Sequence, residues 1–157
     1  AVALSGRDIA LYTGNDDNIV VDLLTTFRFE VDGEIKRARV VGGLLGHWAV
    51  WTHTAVEMFR MLGKAAREGV VTPDMITLAA QVTDANSAFF DTRNDFKGCI
   101  AGIHEVLRRQ GLMPGIWCLN PEETLSEGQA EEIDRVYAMY PHLNDDAFVR
   151  DFLIKQG

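Results

Sequence analysis

The stretch Val40-Val41-Gly42-Gly43-Leu44-Leu45-Gly46-His47-Trp48 is free of Asp, Glu, Lys and Arg and carries three glycines. An apolar run of this kind suits a strand buried on both faces, as in a parallel sheet covered by helices. Glycines within it mark a bend or a close backbone approach, and the strand is expected to end at Gly46-His47-Trp48. Immediately upstream, Phe27 to Val40 alternates around Asp32-Gly33, the pattern of a β-hairpin. Further upstream, Ile9-Ala10-Leu11-Tyr12-Thr13 reads as a buried strand. It empties into the polar loop Gly14-Asn15-Asp16-Asp17, followed by a helix from Asn18 to Thr26 with Ile19, Val20, Leu23 and Leu24 on one side.

Downstream the pattern turns helical. Thr54 and Glu57 have capping-box spacing for a helix to about Arg67, and Thr72-Pro73 supplies a cap and a first-turn proline for a helix to about Phe90. A third helix is expected from Asp95 to Gln110, stopped by Gly111. Ser126 and Gln129 form a second capping-box pair opening a helix to about Tyr140, and a last helix starts near Asp145. Two core strands and a hairpin cannot close a sheet around a core, and their edges need neighbours. The first half reads as βαβα taken from a larger barrel, which agrees with a length of 157 residues against the roughly 250 of a (β/α)8 barrel. Residues 1–70 would hold the last two β/α units and residues 71–157 a helical region. Ala1 is followed directly by Val2-Ala3-Leu4 and a Ser5-Gly6-Arg7-Asp8 turn, with no initiator Met or signal peptide, so the chain is expected to begin inside a larger unit.

Composition narrows the partners. Fifteen Lys and Arg against 23 Asp and Glu give a net charge of −8, a poor match to nucleic acid or an anionic membrane surface. No apolar run approaches a membrane span, and two cysteines, Cys99 and Cys118, provide no disulfide framework. A reduced, cytoplasmic protein is the expectation.

Residues able to carry chemistry lie mainly at the ends of the two strands. Gly14 allows a ligand close to the backbone, and Asp16 and Asp17 stand where barrel enzymes bind substrate, although the commoner role of Asp there is a helix cap. His47 titrates near neutrality but, standing alone, reads first as a hydrogen-bonded structural residue. Trp48 and Trp51 either wall a pocket or pack beneath the helices. His53, His104 and His142 lack partners at metal spacing, so no metal site is expected. Lys36, Lys64, Lys97 and Lys155 lack the desolvated interior setting of a nucleophilic amine. Cys99 and Cys118 have no evident base beside them, and Cys99 suits core packing.

Taken together, the Gly14-Asn15-Asp16-Asp17 loop, the Gly42 to His47 strand followed by Thr54-Ala55-Val56-Glu57-Met58-Phe59, and above all Asn94-Asp95-Phe96-Lys97-Gly98-Cys99-Ile100 through Arg108-Arg109-Gln110-Gly111-Leu112 resemble the dihydrodipicolinate synthase and N-acetylneuraminate lyase family. Leu119-Asn120-Pro121 to Leu125-Ser126 resembles its last loop. The resemblance covers nearly the whole chain but only the C-terminal half of the family's domain: strands seven and eight of a (β/α)8 TIM barrel plus the C-terminal helical extension. It implies a class I aldolase or hydro-lyase acting on a 2-oxo acid such as pyruvate, without a cofactor, and working as a homo-oligomer. The Schiff-base lysine, the proton-relay tyrosine and the carboxylate-binding threonine motif would all lie upstream of Ala1, leaving no catalytic residue here. Activity would then require the N-terminal half of the same barrel. The resemblance gives substrate-binding roles to Gly14, Asn15, Asp16 and Asp17, and to Leu45, Gly46, His47 and Trp48. The hairpin departs from the family's usual short connection, and a longer rim there would shield the pocket or meet another subunit. The competing expectation is a non-catalytic, mainly helical interaction module derived from the barrel.

Overall fold

A computed structural model describes residues 9–156, so the expected Val2-Ala3-Leu4 start and its turn lie outside the described residues. The described residues form a mixed α/β structure built on a three-stranded sheet. Strand β1 (Leu11–Thr13) runs parallel to β3 (Glu34–Gly43), from Leu11 opposite Val40 to Thr13 opposite Gly43. Strand β2 (Thr26–Val31) runs antiparallel to β3 on its other side. The hairpin forms where the sequence places it, because Asp32 (φ 54°) and Gly33 (φ 80°) both take the left-handed conformation of a two-residue primed turn.

The strand expected to be buried on both faces is covered on one side only. It ends at Gly43, Gly42 is buried, and Val41 and Leu44 stay exposed, Leu44 at 78%. Helix α1 (Ile19–Leu24) packs against β3, and among the described residues no second layer covers the rest. The same shortage of cover leaves Tyr12 of β1 exposed, so that strand is not buried either. Its ring does lie over the sheet: a Cβ at Gly42 would stand 3.1 Å from it, the close approach that the glycines signalled.

Five further helices follow: α2 (Thr52–Glu68), α3 (Pro73–Phe89), α4 (Cys99–Arg109), α5 (Gln129–Met139) and α6 (Asp146–Gln156). None among the described residues is long and apolar enough to cross a membrane. Ile19, Leu23, Leu62, Phe89, Val106 and Ile133 join α1 to α5 in one core. The boundary at residues 70/71 falls in the turn between α2 and α3, and that core crosses it.

Three helix starts differ from expectation, each for a local reason. Helix α2 begins before Thr54, and its free amide at His53 donates to the Asp145 carboxylate at 2.7 Å. Asp145 is buried and also receives Gln110 Nε2 at 2.6 Å, so a residue 92 positions away caps the helix. Helix α4 begins at Cys99 rather than Asp95, because Asp95 and Phe96 have φ of 56° and 62° and cannot sit in a right-handed helix. Helix α5 begins after Gly128: the Ser126 amide does donate to Gln129 Oε1 at 3.0 Å, but the Ser126 hydroxyl is drawn to Asp91 Oδ2 at 2.5 Å. Pro73 opens α3 and Gly111, at φ 76°, ends α4 as expected, whereas Thr72 stands at the start of α3 without a side-chain capping bond.

Gln129 is the node of the helical region. Its buried amide nitrogen donates toward the carbonyls of Ala88, Phe89 and Gly98, tying the end of α3 and the turn before α4 to α5. Gly98 and Gly102 make room for it, since a Cβ at Gly98 would fall 2.1 Å from Gln129 Oε1 and one at Gly102 2.0 Å from the Phe89 carbonyl oxygen. Truncating Gln129 to Ala strands those buried polar groups. Urea unfolding of Gln129→Ala is expected to show a loss of about 2–4 kcal/mol, on the scale of one to two unmet buried hydrogen bonds; an unchanged midpoint would contradict the assignment.

Candidate functional site

The loops after β1 and β3 leave the sheet side by side because the strands are parallel, and they bring the predicted site residues together. Gly14 and Asn15 follow β1 as an exposed rim, with the Asn15 amide held by Thr13 Oγ1 at 3.1 Å. Thr13 Oγ1 in turn donates to Asp22 Oδ2 at 2.7 Å, and Asn18 Nδ2 to Asp22 Oδ1 at 2.9 Å. Asp16–Asn18 form a single 3-10 turn, and Gly46–Ala49 form another.

Neither Asp16 nor Asp17 caps a helix. The Asp16 carboxylate crosses between the loops and accepts the His47 main-chain amide at 2.6 Å. Its carbonyl accepts Asn86 Nδ2 at 3.1 Å, and the Asp17 carbonyl accepts the Thr83 hydroxyl. The Asn86 amide oxygen then faces His47 Nδ1 at 3.0 Å. Because the Asn86 nitrogen is committed to a carbonyl, its oxygen must accept from His47, which fixes the proton on Nδ1 and leaves Nε2 as the bare acceptor. Asn86 is 1% exposed. Helix α3 therefore clamps both loops through one buried amide.

Gly46 lies against Phe90, where an added Cβ would meet the ring at 3.0 Å, and Leu45 is extended at the head of its turn. Trp48 donates from Nε1 to the Gly43 carbonyl at 2.8 Å and stands edge-on to Phe59. It helps line an open groove of about 250 Å³ with Tyr12, Gly42 and Val56. Trp51 is a packing residue, its ring edge-on to Phe89 and Tyr137. A separate cavity of about 20 Å³ lies between His47, Trp51, Thr54, Asn86, Phe89 and Leu143; that is room for about one water and too little for a three-carbon acid. The hairpin does not border these loops. Its turn lies at the opposite end of β3, roughly 30 Å from Gly43 at about 3.3 Å per residue.

Burial pushes the His47 ring below its ordinary pKa, against the opposing effects of the Asn86 hydrogen bond and the Asp16 charge. His47 is thus a neutral, oriented imidazole whose buried Nε2 has no partner among the described residues. One expectation about the cysteines changes: His104 Nδ1 stands 3.9 Å from Cys118 Sγ. Burial and then the Glu123 charge push that thiol up, and burial followed by the Asp16, Glu123 and Asp91 charges does the same to Cys99, so both stay protonated. Among the described residues no three His, Cys, Asp or Glu side chains gather as a metal site.

Asn86 and Thr83 are the members the sequence reading missed. The one signal was an amide within Val82-Thr83-Asp84-Ala85-Asn86-Ser87-Ala88-Phe89, a helix otherwise apolar on its buried side. Comparison with protein families, characterised proteins and solved structures finds no match to this chain.

Two outcomes follow from this geometry. Asp16→Ala removes an acceptor from a part-buried amide and is expected to cost about 1–3 kcal/mol in denaturant unfolding, whereas Asp17→Ala, whose carboxylate is exposed and unbonded among the described residues, should be near neutral. Equal effects would contradict the clamp. A depressed histidine pKa means the unfolded chain takes up the proton first, so stability is full above the ordinary 6.5 and falls as pH drops below it. Thermal melts from pH 7.5 down to 5, as about the range His covers, should show that decline flattened in His47→Asn; an identical slope in both proteins would contradict it.

Proposed function

We propose that this chain is the C-terminal half of a (β/α)8 lyase of the dihydrodipicolinate synthase and N-acetylneuraminate lyase type, with β1 and β3 as strands seven and eight. One observation carries the reading: two parallel strands in the order β1, α1, β2–β3 hairpin, α2 keep exposed apolar residues while their carboxyl-end loops are tied together through Asp16, His47 and Asn86. Barrel enzymes build their sites from such loops. The substrate is a 2-oxo acid, and the lysine that forms the imine belongs to the part of the protein preceding these residues. Lys36, Lys64, Lys97 and Lys155 are all exposed, not the desolvated setting that such an amine requires.

Within this reading the site residues divide by what their groups are already doing. Asp16 spends its carboxylate on the His47 amide, so it positions the loops. Gly14, Asn15 and Asp17 form the exposed rim available to a substrate, and Leu45, Gly46 and Trp48 form the half-buried wall. His47 supports that wall as a neutral ring. The imine acts as the electron sink for aldol cleavage, condensation or dehydration, and no metal or cofactor enters the reading.

The test is covalent trapping. Full-length protein treated with pyruvate and borohydride is expected to gain the mass of one reduced adduct, and this chain alone none; an unmodified full-length protein would contradict the Schiff-base chemistry. The closed core joining α1 to α5 favours a second reading, a stand-alone helical interaction module. That reading predicts a cooperative thermal melt and a monodisperse solution for residues 1–157 alone, together with no adduct on any form of the protein.

A further inference from the structure

The outer edge of β2 is unpaired among the described residues, because the sheet order is β1-β3-β2 and β2 meets only β3. A free edge strand is a template for another chain, and natural proteins blunt or cover it. This edge reads Thr26-Phe27-Arg28-Phe29-Glu30-Val31. Phe27, Phe29 and Val31 share one face, with the two phenylalanine rings stacked 6.5 Å apart and about 40% exposed; Arg28 and Glu30 share the other.

Inside the hairpin the charges on this strand are badly matched. Arg28 lies opposite Arg37 and Glu30 opposite Ile35, and like charges directly across a ladder are unfavourable. Among the described residues neither Arg28 nor Glu30 joins an ion pair. The strand thus carries one cation and one anion, two positions apart on one face, neither of them in an ion pair among the described residues.

We propose that the β2 edge is a homodimer interface, pairing antiparallel with β2 of a second copy about a two-fold axis centred on Phe29. Antiparallel pairing about a two-fold places facing residues on the same side of the sheet, so each register is centred on a residue. Centring on Arg28 sets it against itself, and centring on Glu30 does the same for the carboxylate. Centring on Phe29 alone sets Arg28 against Glu30 of the partner subunit, and by symmetry Glu30 against the partner subunit's Arg28. It also sets Phe29 against the partner's Phe29 and Phe27 against the partner's Val31, extending the apolar strip across the axis.

The main chain agrees with that register. In a two-residue hairpin the residues flanking the turn, Val31 and Glu34, form a hydrogen-bonded pair, and the pattern alternates along the strand. Phe29 and Phe27 therefore spend their amides on β3, while Arg28 and Glu30 aim theirs outward. The charged pairs become the hydrogen-bonded pairs of the new ladder, and Phe29 meets its symmetry mate at a non-hydrogen-bonded position, where side chains stand closest. Each copy offers the second copy of this chain both the backbone and the charge it lacks.

Two substitutions read the register directly. Facing residues at a non-hydrogen-bonded position have Cα atoms about 4.5 Å apart, within disulfide reach. Phe29→Cys in the full protein is expected to give a disulfide-linked dimer on mild oxidation, whereas Phe27→Cys, which faces Val31 of the partner subunit, is not. In sedimentation equilibrium Arg28→Glu or Glu30→Arg should weaken dimerisation about tenfold or more, since each creates two like-charge contacts, and the double swap should restore it. The proposal is overturned if Phe27→Cys cross-links as readily as Phe29→Cys. It is equally overturned if the double swap dissociates as readily as the single ones, or if Phe29→Cys stays uncrosslinked, as when another segment of the protein covers the edge.

Discussion

One buried amide organises the end of this molecule where the strands deliver their loops. The Asn86 nitrogen donates to the Asp16 carbonyl and its oxygen accepts from the His47 ring, while the Asp16 carboxylate accepts the His47 amide. Each group satisfies another that would be expensive to leave unmet in the interior. The loops come from different strands, and the amide comes from a helix near the middle of the chain. All three segments meet in these bonds, so the packing of α3 onto α1 sets the geometry of the loops. A neutral His47 belongs to the same constraint, since burial of the ring outweighs the Asn86 hydrogen bond and the nearby Asp16 charge, both of which favour the protonated form.

The chain leaves this cluster through a strained residue. Trp51 has φ of 47°, uncommon for a bulky side chain, and its ring is wedged edge-on against Phe89 and Tyr137. A conformation of that kind persists when the surroundings over-determine it. Here it sets the direction in which α2 departs from the 3-10 turn carrying His47. The Asp145 carboxylate then caps α2 while holding Gln110, and Gln129 fastens α3, α4 and α5. The helical region is held by a few buried polar groups, each reaching across long sequence separations. The sheet, by contrast, keeps one face and, among the described residues, both outer edges in the open.

That division explains which features were legible in the sequence. Features with a local cause were readable: Asp32-Gly33 turns because both residues tolerate positive φ, Pro73 opens α3, and Gly111 ends α4. The meeting of the Gly14 to Asp17 loop with Gly46 to Trp48 was readable from parallel strands. Features with a distant cause were not. Thr54 and Glu57 match a capping box, but Asp145 caps that helix; Ser126 matches another, but Asp91 takes its hydroxyl. Asp16 looked like a cap, and its partner lies 31 residues away. The strand at Val40 to Leu45 has the composition of a doubly buried strand, yet composition does not state whether the covering layer belongs to the same stretch of chain. Asn94 to Ile100 turns out to surround Asp91 and Gln129 in a hydrogen-bonded cluster of its own, which no local signal in that segment announces.

Asn86 and Asp16 clamp the two loops as one cooperative unit. Native-state hydrogen exchange at the His47 amide tests it most directly, because that amide donates to the Asp16 carboxylate. In the wild-type chain it is expected to exchange only through opening of the α3 core, with a protection close to that of the Val106 amide at the centre of the core. In Asn86→Ala it is expected to exchange by local opening while Val106 stays protected. A His47 amide that exchanges in the wild-type chain as fast as those of the exposed Gly14–Asn15 rim would contradict the clamp.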